Sequence, residues 1–235
     1  MNNLAIITAR GGSKRIPKKN IKDFLGFPII KYSIESAFEA GCFDEVMVST
    51  DDLEIADVAL RYGAKVPFLR SAEAANDFVT TADVLNEVLD EYAKREKHFT
   101  YCCCIYPTAP FVTGAKLKSA YEKLIETGAD TVVPVVRFSF PILRSFKIEN
   151  GLVKLNWPEH MNSRSQDLPP AYHDCGQFYF FRTAAFKESK KLFTDFTVPF
   201  EIPESEVQDI DNEEDWMIAE IKYSFGQKKG GKSNV

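Results

Sequence analysis

Short apolar runs alternate with segments of helical spacing along the first half of this 235-residue chain, and this alternation restricts the folds available to it. A buried strand followed by an amphipathic helix is the repeating unit of parallel sheets, because parallel strands need a crossover between them. We therefore predict an α/β, Rossmann-like fold with a doubly wound, mostly parallel sheet and right-handed crossovers. The predicted strands are 4–8, 45–50, 65–69, 101–106 and 131–136, and the predicted helices are 28–40, 53–62, 81–97 and 116–126.

The alternation stops after residue 136. Two short apolar runs flank Asn150–Gly151, a dipeptide typical of tight hairpins, and a polar stretch precedes another strand at 177–182. These features predict that residues 137–176 form an insertion that projects from the sheet as a lid or a dimerisation arm. Residues 1–226, with this insertion, are predicted to form a single domain that ends in a helix over 212–225. A disordered tail rich in Lys, Gly and Ser is predicted at 227–235.

Composition narrows the range of partners. No segment approaches the roughly 20 apolar residues of a membrane span, and the first residues lack the apolar core of a signal peptide. The five cysteines show no C-x-x-C spacing, which favours reduced cysteines in the cytoplasm, and three of them, 102–104, would alternate between core faces. A net charge of −5 and a pI near 5.4 argue against nucleic acid as the main partner.

Residues 9–19, which we call the basic loop, follow directly after the first predicted strand. The loop contains Gly11-Gly12 and five cations, and the first 31 residues carry seven Lys or Arg but one acid. A solvated basic turn would have similar residues. The position of the loop at the carboxyl end of a strand, where open α/β sheets bind ligands, favours an anion site instead. Glycine amides and cationic side chains together predict a polyphosphate substrate.

Two aspartates late in the chain form a second candidate site. Asp209 and Asp211 are spaced so that, in extended backbone, both carboxylates project to one side, which suits a hard cation such as Mg²⁺ shared with phosphate oxygens. Asp211 with Glu214 also fits a capping box for the last helix, and the spacing alone leaves both interpretations open. Asp51-Asp52 is predicted to cap the second helix.

Several motifs resemble those of the acylneuraminate cytidylyltransferase family of nucleotide-diphospho-sugar transferases. The segment ARGGSKRIPKKN at 9–20 resembles the family's opening loop, and further similar stretches lie at 49–56, 68–73, 106–110 and 208–211. Residues 157–179 resemble the branch that acts on pseudaminic acid. The resemblance implies that CMP passes from CTP to the anomeric hydroxyl of a nine-carbon 2-keto sugar acid, with Mg²⁺ or Mn²⁺ as cofactor, and that the enzyme is a homodimer whose arm reaches the partner subunit.

The resemblance also implies roles for individual residues. Arg10, Lys19, Asp209 and Asp211 are the expected catalytic residues, and the two aspartates are the expected metal ligands. Lys14 and the amides of the basic loop are expected to complete a triphosphate cradle, and Arg70 and Thr81 to recognise the base. The full expected nucleotide-binding set is Thr8, Ala9, Arg10, Gly11, Gly12, Ser13, Lys14, Lys19, Asn20, Arg70 and Thr81.

The acceptor sugar carries a carboxylate, so its site needs a cation together with polar partners. Tyr106 stands where glutamine is common in the sialic acid branch, which weakens a sialic acid assignment. His173 can be read as a structural or substrate-binding residue or as a proton-transfer group, and the first is favoured. The expected sugar-binding set is Tyr106, Thr108, Arg144, Arg164, Gln166, His173, Asp174 and Gln177.

Two alternatives remain open at this stage. The same reaction could use another sugar acid: N-acetylneuraminic, legionaminic or 3-deoxy-octulosonic acid. The chain could also be a catalytically inactive regulator that binds nucleotide, although the intact charged residues Arg10, Lys19, Asp209 and Asp211 argue against this.

Overall fold

The computed structural model describes residues 2–76 and 78–230 of the chain. Strands and helices alternate as predicted through the first half. The described residues as a whole carry eleven strands and six α-helices. The strands are β1 Asn3–Thr8, β2 Asp23–Phe24, β3 Phe27–Pro28, β4 Glu45–Ser49, β5 Tyr101–Ile105, β6 Thr131–Arg137, β7 Phe146–Glu149, β8 Leu152–Leu155, β9 Tyr172–Asp174, β10 Phe178–Arg182 and β11 Thr197–Glu201. The helices are α1 Ile30–Glu39, α2 Leu53–Arg61, α3 Thr81–Ala93, α4 Gly114–Thr127, α5 Thr183–Ser189 and α6 Glu213–Gly230.

The main sheet has the strand order β11-β6-β10-β5-β1-β4, and β9 pairs with β6 beside this path. Strand β1 is parallel to both β4 and β5, and β11 is parallel to β6. Strand β10 is antiparallel to its neighbours β5 and β6, and β9 is antiparallel to β6. Five strands therefore share one direction, which confirms the predicted α/β, mostly parallel sheet.

Both faces of the sheet are covered by apolar side chains. Leu4 and Ile6 of β1 belong to one buried cluster, whereas Ala5 and Ile7 belong to the cluster on the other face. Burial on both sides explains why β1 is a continuous apolar run rather than an alternating one.

The three consecutive cysteines of β5 alternate between these clusters, as predicted. Cys102 and Cys104 lie in one cluster and Cys103 lies in the other, and all five cysteines are free. Burial raises the pKa of Cys102 and of Cys104 to about 12, so both remain protonated thiols near neutral pH. They are core residues.

A third apolar cluster joins the basic loop to the aspartate segment. Ile16 of the loop is fully buried together with Ile210 and with Trp216 of α6. Because a buried contact of this kind resists separation, it holds two segments from opposite ends of the sequence side by side. Asp209 and Asp211 are thereby placed next to the basic loop.

Three expectations about the elements are corrected. The predicted strand at 65–69 is reduced to one bridge between Lys65 and Met47, because Pro67 has no amide hydrogen with which to extend the ladder. The insertion is shorter than 137–176, since β6 includes Arg137 and β9 returns to pair with it. We call the projecting part, residues 138–171, the arm. The predictions also missed β2, β3, β9, α5 and β11, and the helix predicted to begin at residue 28 begins at Ile30, because Pro28 ends β3.

The last helix is longer than expected. It continues to Gly230, so residues 227–230, which were assigned to a disordered tail, are helical. Glutamine and lysine are good helix formers, which accounts for the extension. The rest of the predicted tail, 231–235, lies outside the described residues.

In the part of the chain that is described, no helix has the length and apolar character needed to cross a membrane.

Candidate active site

The carboxyl ends of β1, β4 and β5 surround a cavity of about 510 Å³, which we call the first cavity. It lies where open α/β sheets bind ligands. Most of the residues expected to bind nucleotide line it, namely Thr8, Arg10, Ser13, Lys14, Lys19, Asn20, Arg70 and Thr81, together with Tyr106, Thr108 and Asp211. Residues that the sequence predictions did not include also line it, among them Arg15, Asn76 and Val79.

The glycines of the basic loop have a different role from the one predicted. The Gly11 amide donates to the Asp51 carboxylate at 2.9 Å. A Cβ on Gly11 would lie 2.7 Å from Oδ2 of Asp52, so the close approach to the 51–52 turn requires glycine here. Neither Gly11 nor Gly12 has a positive φ, and neither lines the first cavity. Gly11 thus anchors the loop to the turn after β4, and four of the five cations of the loop, Arg10, Lys14, Arg15 and Lys19, line the cavity.

Asp51 and Asp52, in the turn after β4, have different roles. Asp52 caps α2 as predicted, because its Oδ1 accepts from the amides of Glu54 and Ile55 at 2.8 and 3.1 Å. Asp51 does not cap the helix and instead holds the Gly11 amide. Asn20 supports the loop from the other side, since its Nδ2 donates to the Arg10 carbonyl at 2.8 Å.

Lys19 of the basic loop contacts the aspartate segment. Its Nζ donates to the Ile210 carbonyl at 2.7 Å and lies 3.9 Å from the Asp211 carboxylate. Burial lowers its pKa, and the nearby Arg15 and Arg10 act in the same direction, while Asp211 and Asp209 oppose the shift. The ammonium therefore sits where the positive loop meets the two aspartates.

Arg70 also lines the first cavity and is buried. Its Nη2 donates to the Ser49 carbonyl at 2.7 Å and its Nε to the Ser49 Oγ at 3.1 Å. The same carbonyl accepts from the Ala9 amide at 2.9 Å, so β1, β4 and Arg70 converge on one residue. Burial lowers the pKa of Arg70, although an arginine remains charged under such a shift.

The capping alternative for Asp211 is wrong. Asn212 caps α6 by accepting from the Asp215 amide at 3.0 Å, and Asp215 accepts in return from the Asn212 amide at 3.1 Å. This reciprocal pair is a capping box displaced by one residue from the predicted one. The Asp211 carboxylate takes no part in this cap and pairs with Arg15 at 2.8 Å.

Asp209 and Asp211 face different cavities. Asp211 lines the first cavity, whereas Asp209 lines a second cavity of about 500 Å³. Reduced hydration raises the pKa of Asp209, and the neighbouring Asp211 raises it further, while Lys19 opposes the shift. Among residues 2–76 and 78–230 no group of three or more His, Cys, Asp or Glu side chains is placed to hold a metal ion, so the expected metal role of the two aspartates stays a prediction. Two carboxylates suit Mg²⁺ when phosphate oxygens supply other ligands.

The second cavity lies beside the first, and Tyr106 lines both. Of the expected sugar-binding residues, it also contains His173 and Asp174. His173 Nδ1 lies 2.9 Å from the Asp174 carbonyl oxygen, and its ring packs on Phe138 at 4.6 Å between centroids. These contacts hold the ring in the cavity wall.

The other expected sugar-binding residues lie elsewhere in the single chain. Thr108 lines the first cavity, and Gln177 is buried with its Nε2 donating to the Glu206 carbonyl at 2.7 Å. Arg144 and Arg164 lie on the exposed arm, where Arg164 pairs with Asp167 at 2.7 Å. Gln166 lines a cavity of about 490 Å³ between the arm and the sheet.

Two cations of the second cavity were missed by the sequence predictions. Arg137 ends β6, and Lys222 reaches the cavity from α6 while its Nζ donates to the Val207 carbonyl at 2.7 Å. The rule that ligands bind at the carboxyl ends of strands would have indicated Arg137. The contribution of α6 depends on tertiary packing and has no local signal.

Comparisons with known proteins agree with this geometry. Residues 4–216 match the model of the family described as Cytidylyltransferase. The chain is 44% identical over 229 residues to a pseudaminic acid cytidylyltransferase of Campylobacter jejuni subsp. jejuni serotype O:2, covering 97% of this chain and 99% of that protein. It is 35% identical over 239 residues to a CMP-N,N'-diacetyllegionaminic acid synthase of Legionella pneumophila, covering 97% and 99%.

A solved structure shares the fold. The structure of CMP:2-keto-3-deoxy-manno-octonic acid synthetase complexed with CTP superposes with a TM-score of 0.69 over 97% of this chain and 100% of that one. The two sequences are 16% identical, so the likeness is one of fold.

Proposed function

Because this chain belongs to the cytidylyltransferase family, we propose that it transfers CMP from CTP to the anomeric 2-hydroxyl of pseudaminic acid and releases pyrophosphate. The observation that carries the proposal is the pair of adjoining cavities at the sheet edge, one lined by cations and the other by mixed polar groups, with Tyr106 in the wall between them.

The first cavity suits a nucleoside triphosphate. Arg10, Lys14 and Lys19 line it on the side of the basic loop, where their charges would neutralise the phosphate oxygens. Arg70 and Thr81 line the same cavity and would face the base. Transfer at a phosphoryl group depends mainly on positioning and on charge stabilisation, which rigidly held cations supply.

The second cavity suits the acceptor. A 2-keto sugar acid carries one carboxylate and several hydroxyls, so its site needs a cation and hydrogen-bonding groups. Arg137 and Lys222 supply the positive charge, and His173 and Asp174 supply polar partners. Because the two cavities adjoin at Tyr106, an acceptor hydroxyl in the second would face the α-phosphate of a nucleotide in the first.

Asp209 and Asp211 would hold the cofactor, for which we propose Mg²⁺ or Mn²⁺. The two carboxylates lie beside the basic loop, and Asp211 does not cap a helix. When bound, such an ion withdraws charge from phosphate oxygens in the transition state. Lys19, anchored on the carbonyl between the two aspartates, would keep the triphosphate aligned with them.

Transfer then proceeds in one step. The acceptor oxygen forms a bond to the α-phosphorus, the bond from that phosphorus to the bridging oxygen breaks with its electron pair leaving on pyrophosphate, and the hydroxyl proton passes to solvent. The acceptor attacks the phosphorus directly, with no covalent enzyme intermediate.

The chain is 44% identical to a relative named for pseudaminic acid and 35% identical to one named for diacetyllegionaminic acid. This difference supports pseudaminic acid as the acceptor. Legionaminic acid is the second candidate for the same reaction. The two acids differ in the configuration of their carbon atoms, so a direct assay must separate them.

We also propose that the enzyme is a homodimer joined through the arm. In the hairpin of β7 and β8, Phe146, Ile148 and Val153 share one exposed apolar face, while Lys147, Glu149 and Lys154 share the charged one. An isolated two-stranded hairpin is marginally stable, and a second copy covering the apolar face would stabilise it. We further propose a cytoplasmic location, which the free cysteines and the proposed use of CTP support.

A coupled assay tests the reaction. Pyrophosphate release is measured with CTP, UTP and ATP, each combined with pseudaminic, N,N'-diacetyllegionaminic, N-acetylneuraminic and 3-deoxy-octulosonic acid, and products are identified by mass. We expect turnover with CTP and pseudaminic acid to exceed every other pair by at least tenfold. Faster turnover with another acid would reassign the acceptor, and pyrophosphate release with none would support the inactive regulator.

A further inference from the structure

The wall between the two cavities is built around Tyr106, whose backbone is fixed on both sides. Its amide donates to the Gln177 carbonyl at 2.9 Å, and its carbonyl accepts from the Ser33 hydroxyl at 2.8 Å. The ring therefore has a defined origin at the end of β5.

A line of polar side chains crosses this wall. The Tyr106 hydroxyl lies 3.1 Å from Thr81 Oγ1, which lines the first cavity. The Tyr106 ring packs edge-on against Tyr179, with 5.5 Å between the ring centroids. The Tyr179 hydroxyl donates to Asp174 Oδ2 at 2.6 Å, and Asp174 lines the second cavity.

The members of this line are joined by two kinds of contact. Tyr179 donates its one hydroxyl proton to Asp174, and either Tyr106 or Thr81 can donate across the 3.1 Å between their hydroxyl oxygens. The two tyrosines meet through their edge-on ring contact. Because packed rings have no free space between them, a displacement of the Tyr106 ring shifts Tyr179. Burial raises the pKa of Tyr106 and of Tyr179, which keeps both phenols protonated.

The far end of the line is a carboxylate with little freedom. Asp174 Oδ1 accepts from the Gly176 amide at 2.9 Å, and Oδ2 accepts from Tyr179. A hydroxyl of the acceptor sugar can donate only to the Asp174 lone pairs that the Gly176 amide and the Tyr179 hydroxyl do not use. The direction in which these lone pairs point therefore depends on the position of Tyr179.

Resting on the proposed function, we propose that Tyr106 is a positioning residue that couples the two cavities. Nucleotide bound against Thr81 and Tyr106 fixes the tyrosine hydroxyl, which aligns Tyr179 and, through it, the Asp174 carboxylate that receives the acceptor sugar. By linkage, acceptor binding strengthens nucleotide binding by the same factor.

The test is Tyr106→Phe, which keeps the ring and removes the hydroxyl. The dissociation constant of pseudaminic acid is measured with and without a CTP analogue that has a methylene group between the α- and β-phosphates and therefore cannot react. In the wild-type enzyme we expect the analogue to tighten acceptor binding at least fivefold. In Tyr106→Phe we expect this factor to fall below two and the acceptor KM to rise about fivefold, with a smaller loss of affinity for the analogue than for the acceptor.

Tyr121→Phe is the matched control. Tyr121 lies on α4, packs against Tyr101 and Phe180, and lines neither cavity, so loss of its hydroxyl should leave the coupling factor at the wild-type value. If Tyr106→Phe shows no cooperative unfolding transition, it is not properly folded and Thr81→Val replaces it. Thr81→Val removes the hydroxyl at the other end of the line and is expected to lower the coupling factor in the same way.

Three outcomes are distinguishable. An unchanged coupling factor and acceptor KM in the variants would overturn the coupling role while leaving the proposed function intact. Equal losses of nucleotide and acceptor affinity would also overturn it, because they would indicate a merely structural role. Absence of product from the wild-type enzyme with every acid would refute the proposed function, and the coupling role would fail with it.

Discussion

The guanidinium of Arg15 lies 2.8 Å from the carboxylate of Asp211, at the edge of the first cavity. Both side chains are largely exposed, so the pair contributes little to folding stability, at most about 1 kcal/mol. Its importance is functional, because Arg15 occupies a carboxylate that we assign to a divalent cation. The arginine and the cation would compete for Asp211.

We predict that Arg15→Gln lowers the Mg²⁺ concentration needed for half-maximal activity. Removing a competing exposed charge is expected to make the free energy of Mg²⁺ binding more favourable by about 0.5–1 kcal/mol. The Mg²⁺ concentration for half-maximal activity should then fall by a factor of about two to five. Mg²⁺ titration of the pyrophosphate-release rate measures this. Lys18→Gln serves as control, since Lys18 lies in the same loop but pairs with Glu54. An Arg15→Gln enzyme that needs more Mg²⁺ would show that Arg15 assists phosphate binding instead.

Arg10 is predicted to stabilise the negative charge that develops on the phosphates. We expect Arg10→Ala to lower kcat by about two to three orders of magnitude, in line with the loss of one well-placed donor to a transition-state charge. Steady-state kinetics with CTP as the varied substrate provides the measurement. Arg61→Ala, which removes an exposed arginine in the last turn of α2, is the matched control and should retain wild-type turnover. Near-normal turnover of Arg10→Ala would refute the role.

The raised pKa of Asp209 leads to opposite predictions for activity and stability. The folded-state pKa exceeds the unfolded one, so the ionised form costs stability above the unfolded pKa, and this cost is relieved as pH falls through the folded pKa. We therefore expect Asp209→Asn to raise Tm at pH 7.5 while abolishing Mg²⁺-dependent activity. The gain in Tm should shrink as the pH is lowered, and wild-type activity should fall in acid at a higher pH than an ordinary aspartate would give.

Asp211→Asn is the control for this prediction. It should also lose activity, but it should not raise Tm, because it removes the ion pairs with Arg15 and Lys19. Thermal unfolding of both variants across pH 5–8, alongside the wild type, provides the comparison. A lowered Tm for Asp209→Asn at pH 7.5 would contradict the assignment of a desolvated carboxylate.

Much of this arrangement could be predicted from local sequence. The continuous apolar character of β1 indicated a strand buried on both faces, and the Asn150–Gly151 dipeptide indicated the hairpin, where both residues have positive φ. The cations of the basic loop were placed at the cavity because the loop follows a strand. These predictions succeeded because each depends on periodicity or on turn chemistry within a few residues.

The failures involve contacts between distant segments. Nothing near Asp51 in sequence indicates that its carboxylate accepts from the Gly11 amide. The antiparallel direction of β10 and the approach of Lys222 to the second cavity likewise depend on tertiary packing. The capping box was displaced by one residue because Asn212 and Asp215 satisfy the same spacing as Asp211 and Glu214. Spacing alone could not choose between them.

The two loop glycines are predicted to differ in their tolerance of substitution. In Gly11→Ala the new Cβ would lie 2.7 Å from Oδ2 and 2.9 Å from Cβ of Asp52, which caps α2. Displacing this cap and straining the turn should cost about 1–3 kcal/mol in the free energy of unfolding. Gly12→Ala has no atom within 4 Å of the added carbon, so its stability should change by less than about 0.5 kcal/mol. Urea denaturation of both variants tests the difference, and equal stabilities would contradict the packing role of Gly11.

Charge placed on the apolar face of the arm should separate the proposed dimer. The Ile148 side chain is 77% exposed in the single chain, and in a dimer joined through this face it would be buried. An unpaired carboxylate buried at such an interface is strongly unfavourable, so we expect Ile148→Asp to sediment as a monomer at concentrations where the wild type is a dimer. Ile221→Asp is the control, because Ile221 is 69% exposed on α6 rather than on the arm.

The same pair of variants tests whether the arm completes the partner's site. Gln166 and Arg144 lie on the arm, outside the second cavity of their own chain, and a dimer could bring them to the cavity of its partner. In that case the monomeric Ile148→Asp enzyme should bind CTP normally but show a raised KM for the acceptor acid. An Ile148→Asp enzyme that remains dimeric would show that this face is not the interface. A monomer with unchanged acceptor KM would show that each chain holds a complete acceptor site.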